Sequence, residues 1–135
     1  MVNNTTHPSL WLSPYSGGNR TIKVKSPLYC LKSIQEIALV VSKLYTVTND
    51  SASNIEDLGW DLSDVALLIR SLKVEDYLGS EWCHVNGNLD RPCDSYAIGR
   101  LEYNEDAKKD LFVKYYIKFA TNQSNEIILI VSCHL

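Results

Sequence analysis

The spacing of apolar and polar residues changes about halfway along the chain. Between residues 31 and 45, apolar side chains recur every three or four positions, which predicts an amphipathic helix that Ser33 and Glu36 can cap. Shorter stretches with the same spacing predict helices over 53–58 and 63–72, with one more turn over 74–77. The first half of the domain is therefore predicted to be mainly helical.

After residue 79 the chain becomes rich in Tyr, Val, Ile and Phe, and polar turn residues interrupt it at short intervals. This pattern predicts antiparallel strands over 82–85, 94–103, 111–120 and 126–134, with turns at Asn86-Gly87 and over 121–125. Residues 21–25 alternate like a short strand. The predicted fold is α+β, with helices packed on one face of an antiparallel sheet.

Length and composition predict one domain. Residues 1–20 are too polar for a regular element and are predicted to form a flexible arm, so that 21–135 form a single domain. The longest uncharged apolar run, 127–131, is far shorter than the ~20 residues that a transmembrane helix needs. With no signal peptide visible, the sequence predicts a cytoplasmic protein without a membrane partner.

Cysteine and histidine spacing does not predict a metal site. None of the four cysteines forms a Cys-x-x-Cys pair, and the chain has three histidines, so we expect neither metal nor cofactor. A Cys83–Cys93 disulfide is geometrically conceivable. In a reducing cytosol, however, free thiols are the default expectation.

The predicted closing hairpin concentrates chemically useful side chains. Successive strand residues point to opposite faces, which places Lys114, Tyr116 and Lys118 on one side of their strand. His134, near the end of the last strand, can join them. Together, these side chains can bind a phosphate and take up or release protons, so RNA cleavage is the first hypothesis.

Charge does not immediately favour a nucleic-acid substrate, because the net charge is -3. The distribution is uneven, however: residues 1–44 hold five basic residues and one acidic residue. This segment can form a local basic face together with four later side chains, namely Arg91, Arg100, Lys114 and Lys118.

Four segments follow one another across roughly residues 50–135: residues 56–62 (EDLGWDL), 67–77, 93–96 (CDSY) and the closing hairpin with its Tyr-x-Lys and Ile-Val-Ser motifs. In this order and spacing they resemble the MqsR family of toxins from bacterial toxin-antitoxin systems. The resemblance implies a RelE-like α+β fold and a metal-independent mRNA endonuclease. It also implies a cognate antitoxin protein as the inhibitory partner.

Some positions of this sequence match the family's active-site motifs and others depart from them. Tyr116 and Lys118 match the family's Tyr-x-Lys, and His134 stands where the family has a Lys after Ile-Val-Ser. The chain departs from the pattern at Gly79, where the family has a Lys, and at Cys93, where it has a Gln. The predicted catalytic residues are therefore His134, Tyr116 and Lys118, with the imidazole exchanging protons near neutral pH.

Other side chains are candidates for RNA binding through cationic contacts, proton exchange or base stacking. They are Arg100, Lys114, Arg91, Tyr96, Trp82 and His84.

Two other function classes remain open. One is a catalytically inactive member of the same fold that binds RNA or protein, which the acidic balance and the changes at Gly79 and Cys93 favour. The other is an enzyme with a Cys-His pair at 133–134 or 83–84. Because adjacent strand residues point to opposite faces, neither dipeptide is arranged for direct proton transfer, and this option ranks last.

Overall fold

The computed structural model describes residues 7–13, 15, 17–85 and 89–135 and has an α+β fold. Three helices are present in these ranges, α1 (Leu31–Ile37), α2 (Asn49–Asp57) and α3 (Leu62–Ser71). The strands are β1 (Thr21–Ile22), β2 (Leu44–Thr46), β3 (Tyr77–Val85), β4 (Leu89–Asn104), β5 (Lys109–Thr121) and β6 (Ile128–His134). No helix among these residues is long and apolar enough to cross a membrane.

The six strands form one mixed sheet in the order β1-β3-β4-β5-β6-β2. The four strands predicted in the second half of the chain are confirmed as β3 to β6, and the predicted turn over 74–77 is present as a 3-10 turn at Val74–Asp76. The prediction of a wholly antiparallel sheet is wrong at one edge, because β2 runs parallel to β6. The predicted Asn86-Gly87 turn lies outside the described residues.

The predicted helix over 31–45 is wrong in its second half. The helix ends at Ile37, and the chain then makes a 3-10 turn over Val41–Lys43 and enters β2. Leu44 becomes 2% exposed by pairing with the edge of β6, so edge pairing prevails over the helical spacing. The predicted Ser33-Glu36 capping box is also absent, because Cys30 is the N-cap residue.

Alternation along β5 divides the sheet into two faces. Tyr115, Ile117 and Phe119 are buried in a hydrophobic core that includes residues from all three helices, and we call their side of the sheet the core face. The residues between them are exposed or half-buried, and we call their side the open face. Lys114, Tyr116 and Lys118 therefore share the open face, as predicted.

His7 ties part of the N-terminal segment to the domain. It is fully buried, its Nε2 lies 3.1 Å from the Thr121 carbonyl oxygen, and its Nδ1 accepts from the Ser9 backbone N–H. Burial lowers the pKa of His7, which agrees with a neutral imidazole that donates through Nε2. Residues 1–6, the first part of the predicted flexible arm, lie outside the described residues.

Asp94 joins the segment before α1 to the sheet. Its buried carboxylate accepts hydrogen bonds from the backbone N–H groups of Leu28 and Tyr29, at 3.0 and 2.9 Å, and from the Ser80 hydroxyl at 2.6 Å. Burial raises the pKa of Asp94. The residue thus holds the segment before α1 against the sheet.

Candidate active site

A concave pocket of about 400 Å³ lies on the open face of the sheet. The central strands β4, β5 and β6 form its floor, and β3 forms one side. Its polar lining includes Glu81, Ser95, Tyr116, Lys118, Ser132 and His134. All three predicted catalytic residues therefore line one pocket.

Tyr116 and His134 are direct partners across β5 and β6. Their ring centroids are 5.8 Å apart and the planes are inclined by 25°. The His134 Nδ1 lies 2.9 Å from the main-chain oxygen of Leu135. Because that oxygen only accepts, this contact agrees with a proton on Nδ1 and a basic Nε2.

Lys118 places an ammonium group on the pocket floor. It lies opposite Ser95 on one neighbouring strand and Ser132 on the other. Its Nζ is 3.0 Å from the Glu81 carboxylate, and both side chains remain partly exposed, at 25% and 37%. A salt bridge at this exposure is weak, so a phosphate can compete with Glu81 for the ammonium group.

A second recess of about 510 Å³ shares Glu81, Lys118, Ser132 and His134 with the pocket. It widens the site toward β3 and toward the start of α2. Its other polar side chains are Arg20, Thr48, Asp50, Asn54, Cys83 and His84. We call the pocket and this recess together the cleft.

A β-bulge determines where His134 points. Phe119 pairs with Ile130 and Lys118 pairs with Ser132, so Val131 is an extra residue in β6. The extra residue reverses the alternation: Ile128 and Ile130 point to the core face, while Ser132 and His134 point to the open face.

Thr48 supports this bulge from outside the strand pair. It is the N-cap residue of α2, where its Oγ1 accepts from the Ser51 N–H at 2.9 Å. The same hydroxyl donates to the Val131 carbonyl oxygen at 2.8 Å. One side chain therefore joins the start of α2 to the bulge that orients His134.

Replacing Thr48 by Val is expected to lower the free energy of unfolding by about 1 to 2 kcal/mol, because the helix cap and the bulge contact are lost together. Thr48→Ser keeps the hydroxyl and is the matched control. Urea unfolding followed by circular dichroism measures the change. Equal stability of the two variants would contradict the role given to the hydroxyl.

Two predicted RNA-binding residues lie away from the pocket opening. Arg100 is on the core face, where it pairs with Glu102 at 2.7 Å and its guanidinium lies 4.9 Å from the Tyr115 ring centroid. Tyr96 borders the pocket but is fully buried, with its ring stacked on Phe119 at 5.7 Å. Both residues therefore have packing roles in this structure.

The other predicted RNA-binding residues have varied positions. Trp82 is half-buried against the core, and its ring lies 6.3 Å from that of Tyr15. Arg91 is half-buried, and its Nε has no hydrogen-bond partner among the described residues. His84 is exposed in the second recess, and Lys114 is exposed with its Nζ 5.9 Å from the Tyr116 ring centroid.

All four cysteines are free thiols. The Cys83 and Cys93 thiols are hydrogen-bonded to each other, which lowers the pKa of Cys83 and raises that of Cys93. Cys133 is buried on the core face while His134 faces the cleft, so this dipeptide has the opposed arrangement that the sequence predicts. Within the described part of the chain, no three His, Cys, Asp or Glu side chains are grouped to hold a metal ion.

Several residues of the cleft were not predicted from the sequence. Ser95 and Ser132 flank Lys118, and a register for the three strands would have identified them. Asp50 and Asn54 reach the recess from α2, a placement that depends on tertiary packing and that the local sequence does not indicate.

Comparison with protein-family models finds none that matches this chain, and a search of the curated proteins finds no match.

Proposed function

We propose that this protein is an endoribonuclease that cuts mRNA through attack by the 2′-hydroxyl group, and that it acts as the toxin of a toxin-antitoxin system. The observation that carries the proposal is the convergence of Tyr116, Lys118 and His134 in one pocket. A phenol, an ammonium group and an imidazole are sufficient for this reaction, because the nucleophile belongs to the substrate.

The proposed reaction has one chemical step. The basic Nε2 of His134 removes the proton of a 2′-hydroxyl group, and that oxygen attacks the adjacent phosphorus. The bond from phosphorus to the 5′-oxygen breaks, and the leaving oxygen takes a proton from the Tyr116 phenol. The products are a 2′,3′-cyclic phosphate and a 5′-hydroxyl end.

Lys118 stabilises the additional negative charge on the phosphorane. Its ammonium group approaches the floor from the same strand as Tyr116, two residues away, so both reach the same phosphate. The substrate phosphate replaces Glu81 as the partner of Lys118. Ser95 and Ser132 then offer hydroxyl groups on either side.

The wider assignment rests on the resemblance to the MqsR family. This resemblance implies a RelE-like fold with helices on the core face, a cytoplasmic location and catalysis that does not depend on metal ions. We propose that a separate antitoxin protein covers the cleft and blocks access of mRNA. Expression without that antitoxin is then expected to arrest growth.

The test is incubation of the purified protein with single-stranded RNA in the presence of EDTA. We expect cleavage, with 5′-hydroxyl ends that polynucleotide kinase labels directly and cyclic phosphates at the other ends. DNA of the same sequence is expected to stay intact, because it lacks the 2′-hydroxyl nucleophile. A Tyr116→Phe preparation purified in parallel controls for contaminating nucleases.

Intact RNA, or equal cleavage of the DNA, would refute the proposed reaction. RNA that is bound but not cut would favour the second candidate function, a catalytically inactive binding member of the fold. The Lys118-Glu81 salt bridge is the observation that favours this alternative, because it neutralises the ammonium group in the pocket.

A further inference from the structure

Aromatic and cationic side chains alternate along the open face of β5. Phe112, Lys114, Tyr116 and Lys118 occupy every second position, so neighbours in this series are about 7 Å apart. The last two belong to the pocket, and the first two continue in a line away from it. We call these four residues the β5 track.

The Phe112 side chain is 70% exposed. Its ring lies over Gly99 on β4, where a Cβ atom would come within 2.0 Å of the Phe112 Cζ. A larger residue at Gly99 would push the ring outward. The glycine therefore leaves room for the exposed ring to lie over β4.

The distal part of the track lies on a two-stranded ribbon. Beyond Tyr96 on β4 and before Tyr116 on β5, the two strands pair only with each other among the described residues. On the core face, Trp60 packs against Tyr115 at 4.9 Å, and Tyr115 donates to the Glu102 carboxylate at 2.6 Å. The ribbon is thus supported from one side and exposed on the other.

We propose that the β5 track binds single-stranded RNA beside the cleaved phosphate, with a base stacked on Phe112 and the following phosphate on Lys114. This inference rests on the proposed function and adds a substrate-binding subsite outside the pocket. Every base has a π face, so an exposed ring accepts any base. Lys114 and Lys118 supply the charge that the phosphates require.

The surface chemistry favours RNA over a protein partner. A purely apolar interface would leave Lys114 buried and unpaired between the rings, which is unfavourable, whereas a polyanion pairs with it. Asp110, opposite Tyr103 at the outer end of the ribbon, marks where the track ends, because its carboxylate repels a phosphate.

The test measures binding of the full chain to a 2′-O-methyl RNA of about ten nucleotides, which cannot be cut and spans a typical single-strand site. Phe112→Leu keeps an apolar side chain but removes the π face, and we expect it to raise Kd about five- to hundredfold. Phe112→Trp is expected to preserve binding. Lys114→Gln is expected to reduce the salt dependence of binding by about one phosphate contact.

The matched control is Leu101→Ala. Leu101 lies directly opposite Phe112 on the same face and is 71% exposed, but it has no ring. We expect this variant to bind RNA like the unmodified chain. The thermal unfolding midpoint of each variant shows that the ribbon remains folded.

Three results of the binding experiment and one of a self-association measurement would overturn the inference. The first three are no binding by the unmodified chain, equal affinity of Phe112→Leu and the unmodified chain, and equal losses for Phe112→Leu and Leu101→Ala. Self-association that both variants disrupt, with RNA affinity unchanged, would assign the surface to a protein partner and overturn it too. Binding that depends on Phe112 without cleavage of ordinary RNA would support the track while refuting the proposed reaction.

Discussion

His134→Ala is expected to lower kcat/KM for RNA cleavage by about 10² to 10⁴, the usual contribution of a general acid or base. The proposed reaction needs a group that removes the 2′-hydroxyl proton, and the imidazole of His134 lines the pocket beside Tyr116. Cleavage of a labelled RNA under single-turnover conditions measures the loss.

Two variants distinguish loss of the proposed base from a structural disturbance at this end of β6. Leu135→Ala changes the neighbouring exposed residue, and we expect full activity. His134→Gln keeps a polar side chain that does not titrate, and we expect it to be as inactive as His134→Ala. Activity within threefold of the unmodified chain in either His134 variant would rule out His134 as the base.

Tyr116 provides an independent check on this mechanism. Tyr116→Phe removes the phenolic proton but keeps the ring that lies beside His134. If the two residues act on opposite sides of one phosphate, their losses are not additive, and the double variant is expected to be little worse than His134→Ala alone. Full additivity would indicate that the residues act separately.

The position of His134 shows the limit of prediction from strand alternation. Counting alternate residues from buried Ile128 and Ile130 puts Ser132 and His134 on the core face. The bulge at Val131 reverses this outcome, and the Val131 carbonyl oxygen accepts a hydrogen bond from Thr48, which is distant in sequence. The residue types indicated the chemistry, but the bulge determines the face.

Arg100 illustrates the opposite case. Its residue type predicted phosphate binding, but its position in β4 has the same parity as buried Tyr96 and Ile98, which places it on the core face. There it packs on Trp60 and pairs with Glu102. Alternation within one strand, with no bulge between these residues, would have been enough to predict this placement.

The β2 strand was not predictable from local sequence. Leu44 continues a helical spacing that begins at Leu31, and only the unpaired edge of β6 explains why it joins the sheet. The long strands β4 and β5 were predicted well because β-branched and aromatic residues alternate over many positions. Elements stabilised by distant partners were the ones that local patterns missed.

Asp94→Ala is expected to lower the free energy of unfolding by about 3 kcal/mol at neutral pH. The substitution leaves two buried backbone N–H groups, those of Leu28 and Tyr29, without an acceptor, and unsatisfied buried donors are costly. Asp106→Ala, in the exposed β4-β5 loop, is the matched control and should change stability by less than about 0.5 kcal/mol. Urea unfolding of both variants measures the difference.

The pH dependence distinguishes this carboxylate from a simple packing residue. Because burial raises the pKa of Asp94 in the folded state, the part of its stabilisation that depends on protonation is present below the unfolded-state pKa and is lost as pH rises through the folded-state pKa. The hydrogen bonds from the two backbone N–H groups persist in the ionised form. Asp94→Asn keeps one acceptor and does not ionise. The stability of the unmodified chain relative to Asp94→Asn is therefore expected to fall as pH rises above about 4. A difference between the two proteins that is independent of pH would contradict the buried, titrating carboxyl that anchors the segment before α1.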